Sequence, residues 1–263
     1  MNPNGHSKTH EARYLPTLAE NANILNNALQ LLNSKLKFED IMLLPRWRSE
    51  LKGIINEWYC RLQLKEAGIP RRRKLLFFGP PGCGKSITAA ALGDELGIPT
   101  YIVRFDSIIG AYLGQTAIHL RQLFHFAEEI PCVLLIDEVD ALGKQRGNPL
   151  DVGELDRIVI ALMQELEHSK SQGLIIATSN LPKHLDEALW RRFDLVVEFP
   201  KPTKNLLMRY AKVCASRWNL TLTEKLKEEI SITKSYSETE RLIETKVRDK
   251  ILKNVEENNA RRR

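Results

Sequence analysis

A glycine-rich segment in the first third of this 263-residue sequence has the spacing G-x-x-x-x-G-K-S/T. That spacing is typical of loops that bind the phosphates of a nucleotide. Glycines let the backbone curl tightly, so that successive N–H groups point at phosphate oxygens, and the two prolines stiffen the entry without removing a needed donor. The predicted binding residues are Gly79, Pro80, Pro81, Gly82, Cys83, Gly84, Lys85, Ser86 and Ile87.

Three features at the end of this segment are predicted to bind a triphosphate, each in a different way. Lys85 supplies a compact positive charge to the β- and γ-phosphates, and the hydroxyl of Ser86 is a ligand for Mg²⁺. A helix predicted from Ile87 to Leu96 adds the positive end of its dipole. The motif therefore predicts ATP and Mg²⁺ as the ligand and the cofactor.

Two adjacent carboxylates follow an apolar run later in the chain. Val133 to Ile136 is an apolar stretch, and Asp137 and Glu138 come directly after it. An acid at the carboxyl end of a parallel strand lies on the same sheet edge as the phosphate loop, so Asp137 can hold Mg²⁺. Glu138 would then point toward the γ-phosphate, where an unliganded carboxylate can activate water. Hydrolysis is predicted, and not binding alone.

Short apolar runs separated by helical stretches must position these groups. The runs cover residues 74–78, 100–105, 132–137, 173–178 and 194–199. Runs that are apolar on both faces and alternate with helices indicate parallel strands covered on both sides. The prediction is an α/β fold, an αβα sandwich of the P-loop NTPase type with about five parallel strands.

Helical patterns flank this α/β region. Residues 17–36 and 45–68 have apolar positions at helical spacing, and the last 60 residues or so show only helical patterning. The last helix is expected to begin at Ser237, with Glu240 completing a capping box. We therefore divide the chain into an N-terminal arm and helix (1–37), a nucleotide-binding domain (38–200) and a small all-helical lid with a basic tail (201–263).

Composition excludes several classes of protein. With 43% hydrophobic and 27% charged residues, neither a disordered nor a fibrous chain is expected. The net charge of +6 is mild, and the arginine triplets at 71–73 and 261–263 favour solvated surface over a nucleic-acid contact. Four widely spaced cysteines argue against disulfides and zinc, and no apolar stretch is long enough for a membrane span or a signal peptide. A cytoplasmic protein without a membrane partner is expected.

Together these segments resemble the AAA family of ATPases, in particular a small stand-alone bacterial-type member. The loop GPPGCGKS is similar to the family's GPPGTGKT, and the resemblance runs from about Phe38 to Glu256. It implies that backbone near Asp40 and Ile41 contacts adenine. It also implies that Asn180, after the strand-like run IIATS, holds the attacking water or the γ-phosphate.

The same resemblance implies an oligomer. The segment LDEALWRRFD, residues 185–194, looks like the region whose paired arginines reach the ATP of a neighbouring subunit, so Arg191 and Arg192 are predicted to act in trans in a ring, by resemblance a hexamer. Tyr112 and Leu113 lie in a run similar to the pore loop of protein-threading members; packing of Tyr112 within its own domain is the alternative. Arg241 is a candidate second sensor, and a surface salt bridge is the alternative for it.

The preferred interpretation is a ring-forming ATPase that uses Mg-ATP hydrolysis to remodel, unfold or thread protein substrates. Because residues 1–37 are too few for a recognition domain, a separate recognition or effector protein is expected. The alternatives are a DNA-associated ATPase that resembles a helicase loader or clamp loader, and a nucleotide-controlled scaffold with little turnover.

Overall fold

The computed structural model of the protein describes residues 29–34, 36–104, 116–140 and 149–261. The strands in this part of the chain are β1 (Leu29–Leu31), β2 (Lys74–Phe78), β3 (Thr100–Arg104), β4 (Val133–Asp137), β5 (Leu174–Ser179) and β6 (Leu195–Glu198). The helices are α1 (Pro45–Tyr59), α2 (Arg61–Glu66), α3 (Lys85–Leu96), α4 (Thr116–Glu129), α5 (Pro149–His168), α6 (Glu187–Trp190), α7 (Lys204–Arg217), α8 (Glu224–Ser231) and α9 (Tyr236–Arg261). Among the described residues, no helix is both long and apolar enough to cross a membrane.

The six strands form one sheet in the order β1-β3-β4-β5-β2-β6. The strand pairs β3–β4, β4–β5, β5–β2 and β2–β6 are all parallel, which confirms the prediction of five parallel strands. Phe78 pairs with Ser179, and Arg104 pairs with Asp137, which brings the carboxyl ends of the strands to one edge of the sheet. That edge carries the loops that follow β2, β4 and β5.

The sixth strand was not predicted. Leu29–Leu31 pairs antiparallel with Tyr101–Val103, whereas the periodicity predicted a helix over 17–36. The predicted helix is wrong for residues 29–34 and 36, and residues 17–28 and 35 lie outside the described residues. A run of three residues cannot carry a helical or a strand period of its own, and the open edge of β3 supplies the backbone partners that decide its conformation.

The two faces of the sheet bury different side chains, as alternation along a strand requires. Leu75 and Phe77 of β2 pack in one apolar cluster with residues of α1, α3 and the C-terminal helices, whereas Leu76 packs in another with residues of α4 and α5. Leu75, Leu76 and Phe77 are all fully buried. Helices therefore cover both faces, which confirms the αβα sandwich.

Helical structure follows the sheet to the end of the described chain. The last helix begins at Tyr236, two residues earlier than its predicted cap implies. The N–H of Glu238 donates to Ser235 Oγ at 3.2 Å, and Glu238 in turn accepts from the N–H of Lys234 at 2.7 Å. The capping pair is thus Ser235 with Glu238, and the prediction of Ser237 with Glu240 is wrong by two residues.

Candidate nucleotide-binding site

The phosphate loop lies between the end of β2 and the start of α3, at the carboxyl edge of the sheet. Gly82 and Gly84 have φ values of 73° and 101°, a region that residues with a Cβ rarely adopt. At Gly82 space is short as well, since a Cβ there would lie 2.9 Å from Ser235 Oγ. Glycine at this position therefore allows both the curl of the loop and its close contact with the start of α9.

The side chain of Lys85 lies in the middle of the site and is nearly fully buried. Its Nζ donates to the carbonyl oxygens of Gly79 at 2.7 Å and Pro80 at 3.0 Å, and to Asn180 Oδ1 at 2.8 Å. Burial lowers the pKa of Lys85, and the nearby carboxylates of Asp137 and other acids oppose that shift. The ammonium group is thus held in place by neutral acceptors that a phosphate can replace.

Ser86 and Asp137 form the candidate metal site. Ser86 Oγ donates to Asp137 Oδ1 at 3.4 Å, and the hydroxyl of Thr178 donates to the same carboxylate oxygen. Hydroxyl and carboxylate oxygens are the ligands that Mg²⁺ prefers, and it takes its other ligands from phosphates and water. The residues present therefore fit Mg²⁺. Within the described residues there is no cluster of three or more His, Cys, Asp or Glu side chains that would suggest another metal.

Glu138 has an unusual backbone for its residue type. Its φ of 58° is left-handed, which costs a residue other than glycine on the order of 1–3 kcal/mol. Its N–H donates to Thr178 Oγ1 at 3.1 Å, and its Oε1 accepts from Asn180 Nδ2 at 3.0 Å. Because Asn180 also binds Lys85, a continuous chain of hydrogen bonds connects the lysine with this carboxylate.

Two polar residues that hold this arrangement were not predicted as site residues. Thr178 is buried in β5 and binds both acidic residues, and Asp140 Oδ1 accepts the N–H of Asn180 at 2.9 Å. Both are positioning residues. A signal for each exists in the sequence, since Thr178 is a hydroxyl in an apolar strand and Asp140 follows the acidic pair by two positions.

A cleft of about 250 Å³ extends from these groups to the C-terminal helices. Leu36, Tyr210, Arg217, Tyr236 and Glu240 form the part of its lining that we call the base end. The rings of Tyr210 and Tyr236 are 5.0 Å apart and meet edge to face. Burial raises the pKa of both phenols, that of Tyr236 to about 12, so both rings stay neutral. This end has the apolar and aromatic character that a nucleotide base requires.

An ion pair lies at this same end. Glu240 accepts a hydrogen bond from the hydroxyl of Tyr210 at 3.1 Å and lies 3.4 Å from Arg217 Nη1. Arg217 Nη2 is buried and has no hydrogen-bond partner within the described residues. A polar ligand group in the cleft could satisfy this donor. No pattern in the sequence selects Arg217 or Glu240 for the site.

Several predicted site residues lie elsewhere. Asp40 and Ile41 are not among the described residues that line the cleft; Ile41 is buried, and its carbonyl oxygen accepts from Arg48. Arg241 is exposed and is also not part of the lining. The predicted pore-loop residues Tyr112 and Leu113 lie outside the described residues.

The predicted trans arginines lie on the surface of the chain, away from its own cleft. Arg191 pairs with Glu187 at 2.7 Å, and Arg192 pairs with Glu167 at 3.1 Å. Both arginines line a separate surface depression formed by α6 and the residues that follow it. Neither is among the residues that line the nucleotide cleft of the same chain.

This site has the structure of a P-loop nucleotide-binding protein. A strand, a glycine-rich loop and a helix follow one another, and they bring a buried lysine close to a serine and to an aspartate at the end of a strand. Residues 75–201 match the family described as "ATPase family associated with various cellular activities (AAA)". The chain therefore carries an AAA family ATPase domain, a class of domain that hydrolyses ATP.

Similar proteins support the assignment to this family. The chain is 39% identical over 174 residues to an uncharacterized AAA family ATPase of Sinorhizobium fredii, covering 66% of this chain and 53% of the relative. It is 33% identical over 187 residues to a protein of Methanocaldococcus jannaschii named as a homolog of the 26S proteasome regulatory subunit, covering 68% and 50%. It is 37% identical over 142 residues to the peroxisomal ATPase PEX6 of Candida glabrata, covering 51% and 14%. The chain thus spans about half the length of the first two relatives.

Proposed function

We propose that the protein hydrolyses Mg-ATP in a homo-oligomeric ring, the hexamer that the family resemblance implies, and uses the energy of hydrolysis to remodel, unfold or thread protein substrates. The observation that carries the chemistry is the hydrogen-bonded series Lys85, Asn180 and Glu138 beside Ser86 and Asp137. The names of two relatives, a proteasome regulatory subunit homolog and a peroxisomal ATPase, support the choice of an AAA machine that handles proteins.

Binding begins with the exchange of hydrogen-bond partners at Lys85. Its ammonium leaves the carbonyl oxygens of Gly79 and Pro80 for the β- and γ-phosphates, where a charge-assisted bond is stronger than a bond to a neutral carbonyl. Loss of the bond to Lys85 releases Asn180 Oδ1 toward the attacking water. Ser86 and Asp137 would hold Mg²⁺, which when bound neutralises charge on the phosphate oxygens.

Hydrolysis requires a base that accepts a proton from the attacking water. Glu138 serves as that base, because its carboxylate is held by Asn180 and does not bind the metal-site hydroxyl. Its left-handed backbone is fixed by the N–H bond to Thr178 Oγ1, which keeps the side chain directed to Asn180. The strain at Glu138 is therefore part of how the base is aimed.

A second copy of the chain completes the site in this proposal. Arg191 and Arg192 are exposed enough to leave Glu187 and Glu167, and a surface ion pair of this kind contributes only about 0–1 kcal/mol. A trans arginine that neutralises charge on the transferred phosphoryl group raises the rate by about 10³ to 10⁵ in related GTPases. The lowering of the activation free energy that such a rate increase requires is far larger than the free energy needed to open the two ion pairs.

In this proposal, substrate handling is assigned to one loop and to a separate protein. Tyr112 and Leu113 are the residues proposed to grip an extended polypeptide, and a separate protein would select that substrate. The four cysteines, Cys60, Cys83, Cys132 and Cys214, are all free thiols, which supports a reducing compartment such as the cytoplasm.

The test uses mixtures of inactive variants. Lys85→Ala prevents ATP binding in its own subunit, and Arg192→Ala removes the arginine that acts on a neighbour. Each variant alone should lose steady-state hydrolysis, and their mixture should regain part of it, because a Lys85→Ala subunit still donates its arginine to an intact phosphate loop.

The matched control is a mixture of Lys85→Ala with Glu138→Gln. Both residues act in the same subunit as the ATP that they contact, so this mixture should stay inactive. Glu138→Gln alone should bind ATP normally and hydrolyse it about 10² to 10⁴ times more slowly. A ring mechanism is excluded if the Lys85→Ala and Arg192→Ala mixture never regains activity.

A further inference from the structure

Two arginines stack on one tryptophan, and a third lies near them, at the end of the sheet opposite the phosphate loop. Arg61 opens α2, and Arg71 and Arg73 lie in the segment that leads into β2. The guanidinium carbons of Arg61 and Arg71 lie 5.1 Å and 4.7 Å from the ring centroid of Trp58. We call these three arginines, with the exposed side chains of Leu62, which follows Arg61, and Ile69, two positions before Arg71, the arginine patch.

The charges of the arginine patch are not neutralised within the described part of the chain. Arg61 donates to the carbonyl oxygen of Trp58, Arg71 to that of Gln172 and Arg73 to that of Ser171, and none of the three is in an ion pair among those residues. These carbonyl bonds fix the position of each guanidinium group but use only part of its five N–H donors.

Arg72, in the middle of the same run, behaves differently. It forms ion pairs with Glu50 at 2.9 Å and Glu57 at 2.7 Å. Arg72 is thus the one member of residues 71–73 that forms ion pairs among the described residues, and it occupies both of these carboxylates. Among the described residues, Arg72 is therefore held by two ion pairs, whereas the side chains of Arg71 and Arg73 form none.

The other acids near the patch are also engaged. Asp194 accepts the backbone N–H groups of Arg73 and Lys74, and Glu128 accepts that of Lys170. The pKa of Arg71 is lowered to about 10 by burial first, then by the charges of Arg73 and Arg61, with Glu57 opposing the shift. Mutual repulsion of three cations is relieved when an anion binds between them.

We propose that the arginine patch is a docking site for an acidic peptide segment of a partner protein, a segment that carries apolar side chains between its carboxylates. Carboxylates match the forked donors of arginine, and Leu62 and Ile69, 66% and 56% exposed, offer apolar contact beside them. Charge and apolar area together favour a peptide over a nucleic acid. Both stacked guanidinium groups also cover Trp58, which is 9% exposed and cannot stack on a base.

This site is separate from the nucleotide cleft. β2 starts at Lys74, next to the patch, and reaches the phosphate loop after Phe78, so about 17 Å of strand at roughly 3.3 Å per residue separates the two. Peptide docking at this surface does not depend on the proposed function. Substitutions in the patch should leave ATP hydrolysis unchanged.

The experiment measures binding of a fluorescein-labelled peptide composed only of glutamate and leucine, by fluorescence anisotropy at low salt. The full chain should bind it, and the double variant Arg71→Gln/Arg73→Gln should bind it about tenfold or more weakly, since charge-assisted hydrogen bonds are lost at two positions. The matched control Lys212→Gln/Lys225→Gln changes the net charge equally at exposed lysines of α7 and α8 and should bind like the unmodified chain.

Two further probes identify the kind of partner. A peptide in which serine replaces leucine should bind more weakly, and Leu62→Ser/Ile69→Ser, which leaves all arginines in place, should remove that difference. The proposal is overturned if the unmodified chain does not bind the glutamate and leucine peptide. It is equally overturned if a DNA oligonucleotide of matched length binds more tightly, or if the arginine double variant loses self-association, since the patch would then contact a nucleic acid or a second copy.

Discussion

The two ends of the nucleotide cleft are built in different ways. At the phosphate end, Asp137 and Asn180 come from the ends of β4 and β5, and Lys85 is the first residue of the helix that follows β2. Asn180 binds Lys85, and Asp137 binds Ser86 and Thr178. At the base end, Tyr210 and Glu240 come from helices that follow the sheet in sequence. The first end is fixed by the sheet, whereas the second exists only when the C-terminal helices pack against it.

This difference has a consequence for function. Groups held by strands keep their positions through the reaction, which suits charge stabilisation and proton transfer. Groups held by packed helices can shift as a unit, which suits a nucleotide-dependent movement. The contact between Gly82 and Ser235 joins the two ends, because the start of α9 rests directly on the phosphate loop. A change at the phosphates therefore has a short physical route to α9.

The largest effect should come from breaking the phosphate end without touching a reacting group. Thr178→Val removes the hydroxyl that binds both Asp137 and the N–H of Glu138. We expect kcat to fall by about 10- to 100-fold, as is usual for residues that orient a metal ligand, with ATP binding largely kept. Steady-state kinetics with a binding measurement would separate the two effects.

Thr100→Val is the matched control for that experiment. Thr100 is buried in β3 of the same sheet, and its hydroxyl has no hydrogen-bond partner in the described residues. Its replacement should leave kcat unchanged, and Thr178→Ser should restore much of the lost activity. Equal losses for both valine variants would mean that the sheet core matters and the Thr178 hydroxyl does not.

At the base end, two substitutions are expected to change the affinity for ATP by smaller factors and in opposite directions. Arg217→Gln should weaken ATP binding by a few-fold, because it removes a cation near a polyanion, and Glu240→Gln should strengthen it by about the same factor. A partly exposed charge of this kind changes binding by about 0.5–1 kcal/mol, which corresponds to a factor of roughly 2 to 5. Isothermal titration with ATP measures both constants.

Arg241→Gln serves as the control at this end, since Arg241 is on the same helix as Glu240 but is exposed and outside the cleft lining. Its ATP affinity should not change. If Arg241→Gln weakened binding and Arg217→Gln did not, the second sensor would be where the sequence predicted it. The described contacts at the base end would then not represent the ATP-bound protein.

The smallest effect concerns stability. Glu138→Gly should raise the free energy of unfolding by about 1 kcal/mol, because it relieves a left-handed backbone and loses part of that gain to the greater freedom of glycine in the unfolded chain. Glu138→Gln keeps the strained backbone and should unfold like the original protein. Denaturant unfolding of both inactive variants compares them directly. No gain with glycine would mean that the surrounding structure imposes no strain.

Much of the phosphate end was predictable because its chemistry is local. Consecutive residues set the curl at Gly82 and Gly84, and an apolar run followed by Asp137 and Glu138 places acids at a strand end. Parallel pairing then brings the ends of β2, β4 and β5 together without further information. The five parallel strands followed from the same alternation of apolar runs and helices.

The base end of the cleft and the edge strand β1 could not be predicted from local sequence, because they depend on contacts between residues far apart in the chain. Residues 29–31 pair with β3 because its edge was open, although their own periodicity indicated a helix. Asp40 and Ile41 were chosen for adenine by resemblance, yet Leu36 lines the cleft and they do not. Glu240 contacts Tyr210, 30 positions earlier in the chain, because α9 packs against α7, and no local pattern of residues predicts that contact.

The sequence by itself therefore determined the phosphate loop, the strand-end acids and the five parallel strands with the helices between them, since each depends on neighbouring residues and on backbone geometry. Only the tertiary structure decided that Thr178 and Asp140 support the site, that Arg217 and Glu240 form its far wall, and that Arg72 is paired where Arg71 and Arg73 are not. These contacts join residues many positions apart, and their partners are chosen by the distances that remain after the whole chain has packed.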